Sequence, residues 1–132
     1  MGKRKVTSPQ WRTEPQAHDY PAAVDYLSLV HPPAEVKRIE VALKRAPIET
    51  RKAKDLLRAA GLELLPADHV EVAADLAKAK KGERLSPVLL VRGDFTRGVP
   101  LVIADGYVRV CASHHLDEDA DIPCHLVDFP LD

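Results

Sequence analysis

The side chains best suited to chemistry lie around an Asp-Gly step at residues 105–106. The stretch LVIADGYVRVCASHH, residues 101–115, reads as a short apolar strand, a turn and the start of a helix. The first N–H groups of a helix have no intrahelical partner and carry a partial positive charge. Gly106 has no Cβ, so a ligand or a neighbouring chain can approach it closely. This junction is therefore a candidate phosphate site.

Arg109 is the candidate cation of the junction. It falls in the first helical turn, where a positive side chain is unfavourable unless an anion or a carboxylate compensates it. Asp105 is a candidate N-cap for one of the free N–H groups, and Tyr107 shares an arc with the apolar helix residues. Two interpretations stay open. Arg109 binds a phosphate, or it pairs with a carboxylate in an ordinary strand–turn–helix connector.

A second set of chemically capable side chains lies at 114–125. It holds three histidines, one cysteine and four carboxylates, and such a composition suits zinc or another divalent ion. The spacing matches neither CxxC nor HExxH, so a solvated helix end and an acidic turn explain it, and we expect no metal there. His115 and Cys124 could still approach each other if the helix and the following strand pack together.

The segment 37–58 concentrates positive charge. Its Lys and Arg residues fall on two expected helices with a Pro-marked turn, a pattern that can form a DNA-binding helix-turn-helix. Interleaved Glu40, Glu49 and Asp55 dilute the field, and no aromatic residue stands among the basic ones. Two amphipathic helices with solvated outer faces are the simpler interpretation. A DNA or protein partner for this basic front remains the alternative.

Composition narrows the class of protein. The chain has 132 residues, 45% of them hydrophobic and 30% charged, which fits one globular domain. Residues 1–60 carry 12 Lys and Arg against 7 Asp and Glu, whereas residues 61–132 carry 7 against 13. No apolar run is long enough to cross a bilayer, and the basic start has no apolar stretch behind it. We therefore expect a cytoplasmic protein with no membrane partner, and two reduced, partly buried cysteines.

Hydrophobic periodicity predicts an α+β fold. Residues 1–16 are expected to form a flexible tail, from which Trp11 can pack back on the body, and 17–132 a single domain. Its front, 17–61, is predicted to be a helical array with helices over 21–31, 33–46 and 48–60, the last capped by Gly61. Behind it, 62–132 predicts a helix over 67–80, strands within 86–93, 100–106 and 122–129, and a helix over 107–116. The predicted inward residues of the three front helices are Ala23, Tyr26, Leu27 and Val30; Val36, Ile39, Val41 and Leu43; and Ile48, Ala53, Leu56, Leu57 and Ala60.

Four short motifs resemble one known family when read in order. SPVLLV (86–91), IADG (103–106), GYVR (106–109) and IPC (122–124) are similar to the Pro-led strand, the Asp-Gly strand end, the Gly-x-His-Arg helix start and the (I/V)P strand of the ParB/sulfiredoxin fold. The resemblance is to its ParB-like form in small bacterial proteins. It covers about residues 62–130 and predicts a small mixed sheet with flanking helices. The helical front is not part of it.

The resemblance implies a nucleotide ligand. In that family the Gly-x-His-Arg element contacts nucleotide phosphates, so Asp105, Gly106, Tyr107 and Arg109 would line the site, with a nucleotide and Mg²⁺ as the implied cofactor. Glu71, which comes with Asp68 and His69 at a predicted helix start, stands where nucleotide-using kin can carry a catalytic acid. Val108 occupies the family's His position and can neither donate a hydrogen bond nor move a proton. The expectation is therefore nucleotide or phosphate binding with weak catalysis or none. The sulfiredoxin Cys, which would fall at Tyr107, is absent, so sulfinic acid reduction is not expected.

Overall fold

The computed structural model describes residues 8–129. Within this range the chain forms six strands, five α-helices and one short 3₁₀ turn at Phe95–Arg97. In chain order these are β1 (Gln10–Trp11), α1 (Asp19–Leu27), α2 (Pro33–Arg45), β2 (Ile48–Lys52), α3 (Ala53–Ala60), α4 (Val70–Lys80), β3 (Arg84–Leu85), β4 (Val88–Val91), β5 (Val102–Asp105), α5 (Tyr107–Leu116) and β6 (Asp121–Val127).

A four-stranded mixed sheet forms the centre, in the order β2-β6-β4-β5. β6 runs parallel to β4, and both outer pairs are antiparallel. A two-stranded parallel sheet joins β1 to β3. The α+β class with a small mixed sheet and flanking helices is confirmed.

Helices cover both faces of the central sheet. Along β4 the side chains alternate, so Val88 and Leu90 face one core and Leu89 and Val91 face the other. The first core is completed by buried residues of α3, α4 and α5, and the second by α1 and α2. The front of the chain is therefore part of one shared fold rather than an appended array, because α1 and α2 cover one face of the sheet and α3 the other.

The helix predicted over 48–60 is wrong in its first five residues. Ile48–Lys52 is the edge strand β2, paired antiparallel with β6 from Ile48 opposite His125 to Lys52 opposite Asp121. Ile48 is 47% exposed instead of facing a core. Tyr26, Val30 and Val41, also predicted to face inward, are exposed, and the other predicted inward residues are buried. Gly61 caps α3 with φ +65°, as predicted.

The flexible tail predicted for 1–16 needs a similar correction. Residues 1–7 lie outside the described range, but Gln10 and Trp11 pair with Arg84 and Leu85. Trp11 is half-buried against the first core, as its aromatic character suggested. Both cysteines are free and buried. None of the described helices is long and apolar enough to cross a membrane.

Candidate functional site

A cleft of about 450 Å³ opens at the start of α5. Three parts of the chain meet there: the segment before α1, the outer side of α4 with β3, and the β5–α5 junction. All four residues predicted to bind a ligand line it, and so does Glu71. The cleft is lined by Gln16, His18, Asp19, Glu71, Ala74, Asp75, Lys78, Arg84, Leu85, Ser86, Asp105, Gly106, Tyr107, Val108 and Arg109.

Gly106 shapes the floor of the cleft. Its φ of +117° is open to glycine and strained for any other residue. A Cβ built there would lie 2.4 Å from Cγ1 of Val88, a fully buried residue of β4. The glycine therefore lets β5 turn into α5 directly against the sheet.

The first turn of α5 leaves donors unused. Val110 donates its N–H to the carbonyl of Gly106, but the N–H groups of Tyr107, Val108 and Arg109 meet no acceptor between residues 8 and 129. The N-cap is Gly106, which has no side chain, and no acidic residue occupies the first turn. Asp105 was predicted to be the N-cap, and this is wrong because its carboxylate is engaged elsewhere.

Arg109 forms a hydrogen-bonded ion pair with the carboxylate of Asp105. Its Nη2 donates to Oδ2 of Asp105 at 2.9 Å and to the carbonyl of Pro87 at 3.2 Å, and its Nε donates to the carbonyl of Ser86 at 2.9 Å. Both side chains of the ion pair are about 15% exposed. Of the two interpretations of Arg109, the carboxylate pairing is the one present. Nη1 finds no partner in the described part of the chain and stays available to a ligand.

Two further contacts define the junction. Burial raises the pKa of Asp105, Arg109 opposes this most strongly, and the nearby Asp19 and His18 add smaller opposite contributions. The Tyr107 hydroxyl donates to the carbonyl of Glu63, outside the cleft-lining set, and its ring packs on the first core. Tyr107 therefore offers its backbone N–H to the cleft, while its hydroxyl is already used.

The segment before α1 supplies a wall of the cleft that no sequence motif predicted. Ser86 Oγ donates to Oε1 of Gln16 at 3.0 Å, and the Gln16 N–H donates to Oδ2 of Asp19 at 2.8 Å. Asp19 is buried, with its other carboxylate oxygen 3.4 Å from Nε2 of the exposed His18. Because Ser86 also accepts from Arg109, a continuous set of contacts joins this segment to α5.

Helix α4 contributes acidic and basic side chains to the opposite wall of the cleft. Glu71 and Asp75 lie one turn apart, and Lys78 Nζ is 3.9 Å from Oδ1 of Asp75. The Asp75 side chain is 14% exposed. Burial raises its pKa, Lys78 and then Arg109 oppose that shift, and Glu71 adds to it. The Asp75 carboxylate is therefore partly dehydrated and only loosely paired.

Substituting Asp75→Asn is expected to raise the melting temperature near neutral pH, because a poorly compensated buried charge is removed. A carboxyl whose folded-state pKa is raised disfavours folding above that pKa, and the effect disappears below the unfolded-state pKa, where both states bind the proton. The gain should therefore shrink as the pH falls. Melting curves at about pH 7 and about pH 4 measure it. Asp25→Asn, at an exposed site on α1, is the control, and an equal change in both variants at both pH values would contradict the expectation.

The other candidate groups are not assembled into sites. Nε2 of His115 contacts the carbonyl of Leu65 at 2.7 Å, and Cys124 Sγ lies 3.5 Å from the carbonyl of Glu49. No three His, Cys, Asp or Glu side chains in the described range are grouped to hold a metal. Burial raises the pKa of the Cys124 thiol to about 12. Asp68 and His69 are not cleft-lining residues.

The basic front does not form a helix-turn-helix, because β2 replaces the start of its second helix. Six of its cations have a carboxylate within 4 Å: Lys37, Arg38, Lys44, Arg51, Lys54 and Arg58. Such pairing lowers the field available to a DNA backbone. The segment 37–58 therefore presents less uncompensated positive charge to a polyanion than its composition indicated.

The sequence motifs located the α5 side of the cleft and missed Gln16, His18, Asp19, Asp75, Lys78, Arg84 and Ser86. The spacing of Glu71, Asp75 and Lys78 at one helical turn places them on one face of α4, and this was a usable signal. Nothing comparable marks residues 16–19, whose role depends on contacts with Ser86 about seventy residues away.

No protein-family model, curated protein or solved structure matches this chain.

Proposed function

We propose that the cleft binds a phosphate-bearing small molecule, with a nucleotide as the best candidate. The observation that carries the proposal is the set of three N–H groups at Tyr107, Val108 and Arg109 that have no acceptor among the described residues. Such groups at a helix start bind phosphate oxygens through hydrogen bonds and the helix dipole. The volume of about 450 Å³ falls within the range of small-molecule pockets.

Cations around the N–H groups support this. The guanidinium of Arg84 is exposed at the cleft and has no polar partner among residues 8–129. Lys78 is 55% exposed and only loosely paired, and Nη1 of Arg109 completes the set. Side chains of this kind form charge-assisted hydrogen bonds with phosphates.

The carboxylates of α4 suit a metal-bound phosphate. Mg²⁺ in nucleotide sites takes one or two protein carboxylates and completes its shell with phosphate oxygens and water. Glu71 and Asp75 line the same cleft as the free N–H groups. They are the residues that would hold Mg²⁺ with a nucleotide, and the ion would neutralise phosphate charge there.

Binding with weak catalysis or none is the activity that fits these residues. Val108 lines the cleft where the resembling family has its His, and a Val cannot transfer a proton. Glu71 is the candidate acid or base, by its exposure at the cleft wall. We therefore propose that the cleft binds its ligand, and we assign no catalytic turnover to the residues at the start of α5.

Calorimetric titration with CTP, ATP, ADP and GTP, each with Mg²⁺, tests the proposal. We expect at least one to bind, and Lys78→Gln to weaken it by about tenfold or more, since a hydrogen bond to a charged group makes a net contribution of roughly 1.5–3 kcal/mol. Lys80→Gln is the matched control on the same helix, because Lys80 does not line the cleft. Absence of heat with all four nucleotides, or equal affinities in the two variants, would overturn the proposal.

A further inference from the structure

We propose that His18 is the pH-dependent oxyanion-binding residue of the cleft: protonated, it donates a hydrogen bond to the bound phosphate or sulfate group, and neutral, it weakens binding. This inference rests on the proposed function and adds a specific residue and a pH dependence to it. It assigns to the segment before α1 a direct part in ligand binding.

The first support is the pairing of an exposed imidazole with a buried carboxylate. The His18 side chain is 75% exposed and lines the cleft, whereas the Asp19 side chain is only 3% exposed. Nε2 of His18 lies 3.4 Å from Oδ1 of Asp19. A carboxylate at this distance accepts a hydrogen bond from Nε2–H and orients the ring.

The second support is the anchoring of Asp19. Its Oδ2 accepts the N–H of Gln16, and its own N–H donates to the Gln16 carbonyl at 2.9 Å. Gln16 in turn accepts from Ser86, whose carbonyl accepts from Arg109. The carboxylate that faces His18 is thus held in fixed relation to the first turn of α5, where the free N–H groups lie.

The chemistry follows from the two ring nitrogens. When Nε2–H faces Asp19, a neutral imidazole has an unprotonated Nδ1 that can only accept a hydrogen bond, so it repels an oxyanion. Protonation turns Nδ1 into a donor and adds a positive charge. Nδ1 of His18 has no hydrogen-bond or ion-pair partner among residues 8–129, so this donor is free for a ligand.

Other titratable groups face the same cleft and act on the same equilibrium. The carboxylates are Asp19, Glu71, Asp75 and Asp105, and the cations are Lys78, Arg84 and Arg109. Burial raises the pKa of Asp75 and of Asp105, so these carboxylates take up protons at a higher pH than an ordinary aspartate does. The contribution of His18 is therefore the part of the pH dependence that disappears when the imidazole is replaced.

The experiment uses sulfate at constant ionic strength, because sulfate keeps both negative charges over the range studied. Its affinity is measured from chemical-shift changes between about pH 8 and about pH 5.5, the range in which histidine changes charge. We expect the wild-type protein to bind about tenfold more tightly at the lower pH, and His18→Gln to lose most of this difference. His114→Gln, in the last turn of α5, is the control and should behave as the wild type.

A ring-specific signal separates a ligand contact from a structural effect. On titration with sulfate, the carbon-bound protons of His18 should shift, and the apparent pKa of the imidazole should rise. Asp19→Asn should remove the carboxylate that orients the ring and so lower the affinity at the acidic end. An unchanged pH dependence in His18→Gln, with sulfate still binding, would overturn the inference and leave the proposed function standing. If sulfate fails to bind the wild-type protein at both pH values, the inference fails, and the nucleotide titration decides the proposed function separately.

Discussion

Replacing Gly106 with Ala is expected to lower the free energy of unfolding by about 3–5 kcal/mol. A backbone φ of +117° is strained for an L-residue, at about 1–3 kcal/mol. The added methyl would also overlap Val88, whose Cγ1 and Cβ lie 2.4 and 2.8 Å from the Cβ position. Val88 is fully buried in β4 and cannot move aside without disturbing the first core. Denaturant unfolding monitored by circular dichroism measures the loss.

Two comparison variants separate the backbone effect from the overlap. Gly82 also has positive φ, +78°, but no atom lies within 4 Å of its Cβ position, so Gly82→Ala should lose only about 1 kcal/mol. The double variant Gly106→Ala with Val88→Ala should lose less than the sum of the two single changes, because the smaller residue leaves room for the methyl. Equal losses in Gly82→Ala and Gly106→Ala would show that the junction is not packed tightly against the sheet.

Arg109→Met should produce the second large effect, a loss of about 2–4 kcal/mol. The change leaves the carboxylate of Asp105 without its cation and removes the donor from the carbonyls of Ser86 and Pro87. Both members of the ion pair are mostly buried, so water replaces the lost contacts poorly. Arg58→Met is the control: the Arg58–Asp55 pair is exposed, and its loss should change stability by less than about 1 kcal/mol.

The loss in Arg109→Met should depend on pH. Burial already raises the pKa of Asp105, and Arg109 is the main group that opposes this shift. Without Arg109 the folded-state pKa rises further, so the folded protein takes up a proton more readily than the unfolded chain as the pH falls. The stability difference from wild type should therefore be smaller at about pH 4 than at about pH 7. An Arg109→Met/Asp105→Asn variant should recover part of the loss at neutral pH, and no recovery would exclude an uncompensated Asp105 charge as the cause.

The spacing of apolar residues predicted most of the helices and strands, because that spacing depends directly on which side chains are buried. The Val/Leu run of β4 and the stripe Val36, Ile39, Leu43 of α2 are buried as their spacing indicates. β2 was missed for a physical reason: it is an exposed edge strand whose backbone pairs with β6 about seventy residues later. Ile48 falls on the same helical stripe of apolar residues that continues from Ala53. No pattern within residues 48–52 therefore distinguishes a strand from a helix.

The candidate site was predicted on one side only, for a related reason. A glycine that opens a helix can be recognised from neighbouring residues, and Gly106 was. Besides Asp105, the partners of Arg109 are the backbone carbonyls of Ser86 and Pro87, which lie twenty-three and twenty-two residues earlier in the chain. Backbone acceptors carry no residue-type signal. The position of His18 beside the cleft likewise depends on tertiary packing.

The place of β6 in the central sheet has a consequence for biosynthesis. β6 is the last of the described strands to leave the ribosome, yet it stands between β2 and β4 and pairs with both. α1 and α2 emerge early but pack on a face to which Val127 of β6 contributes. The central sheet therefore cannot close until β6 has emerged, and the apolar faces of the earlier elements stay uncovered until then. During that interval these faces are exposed to chaperones and proteases.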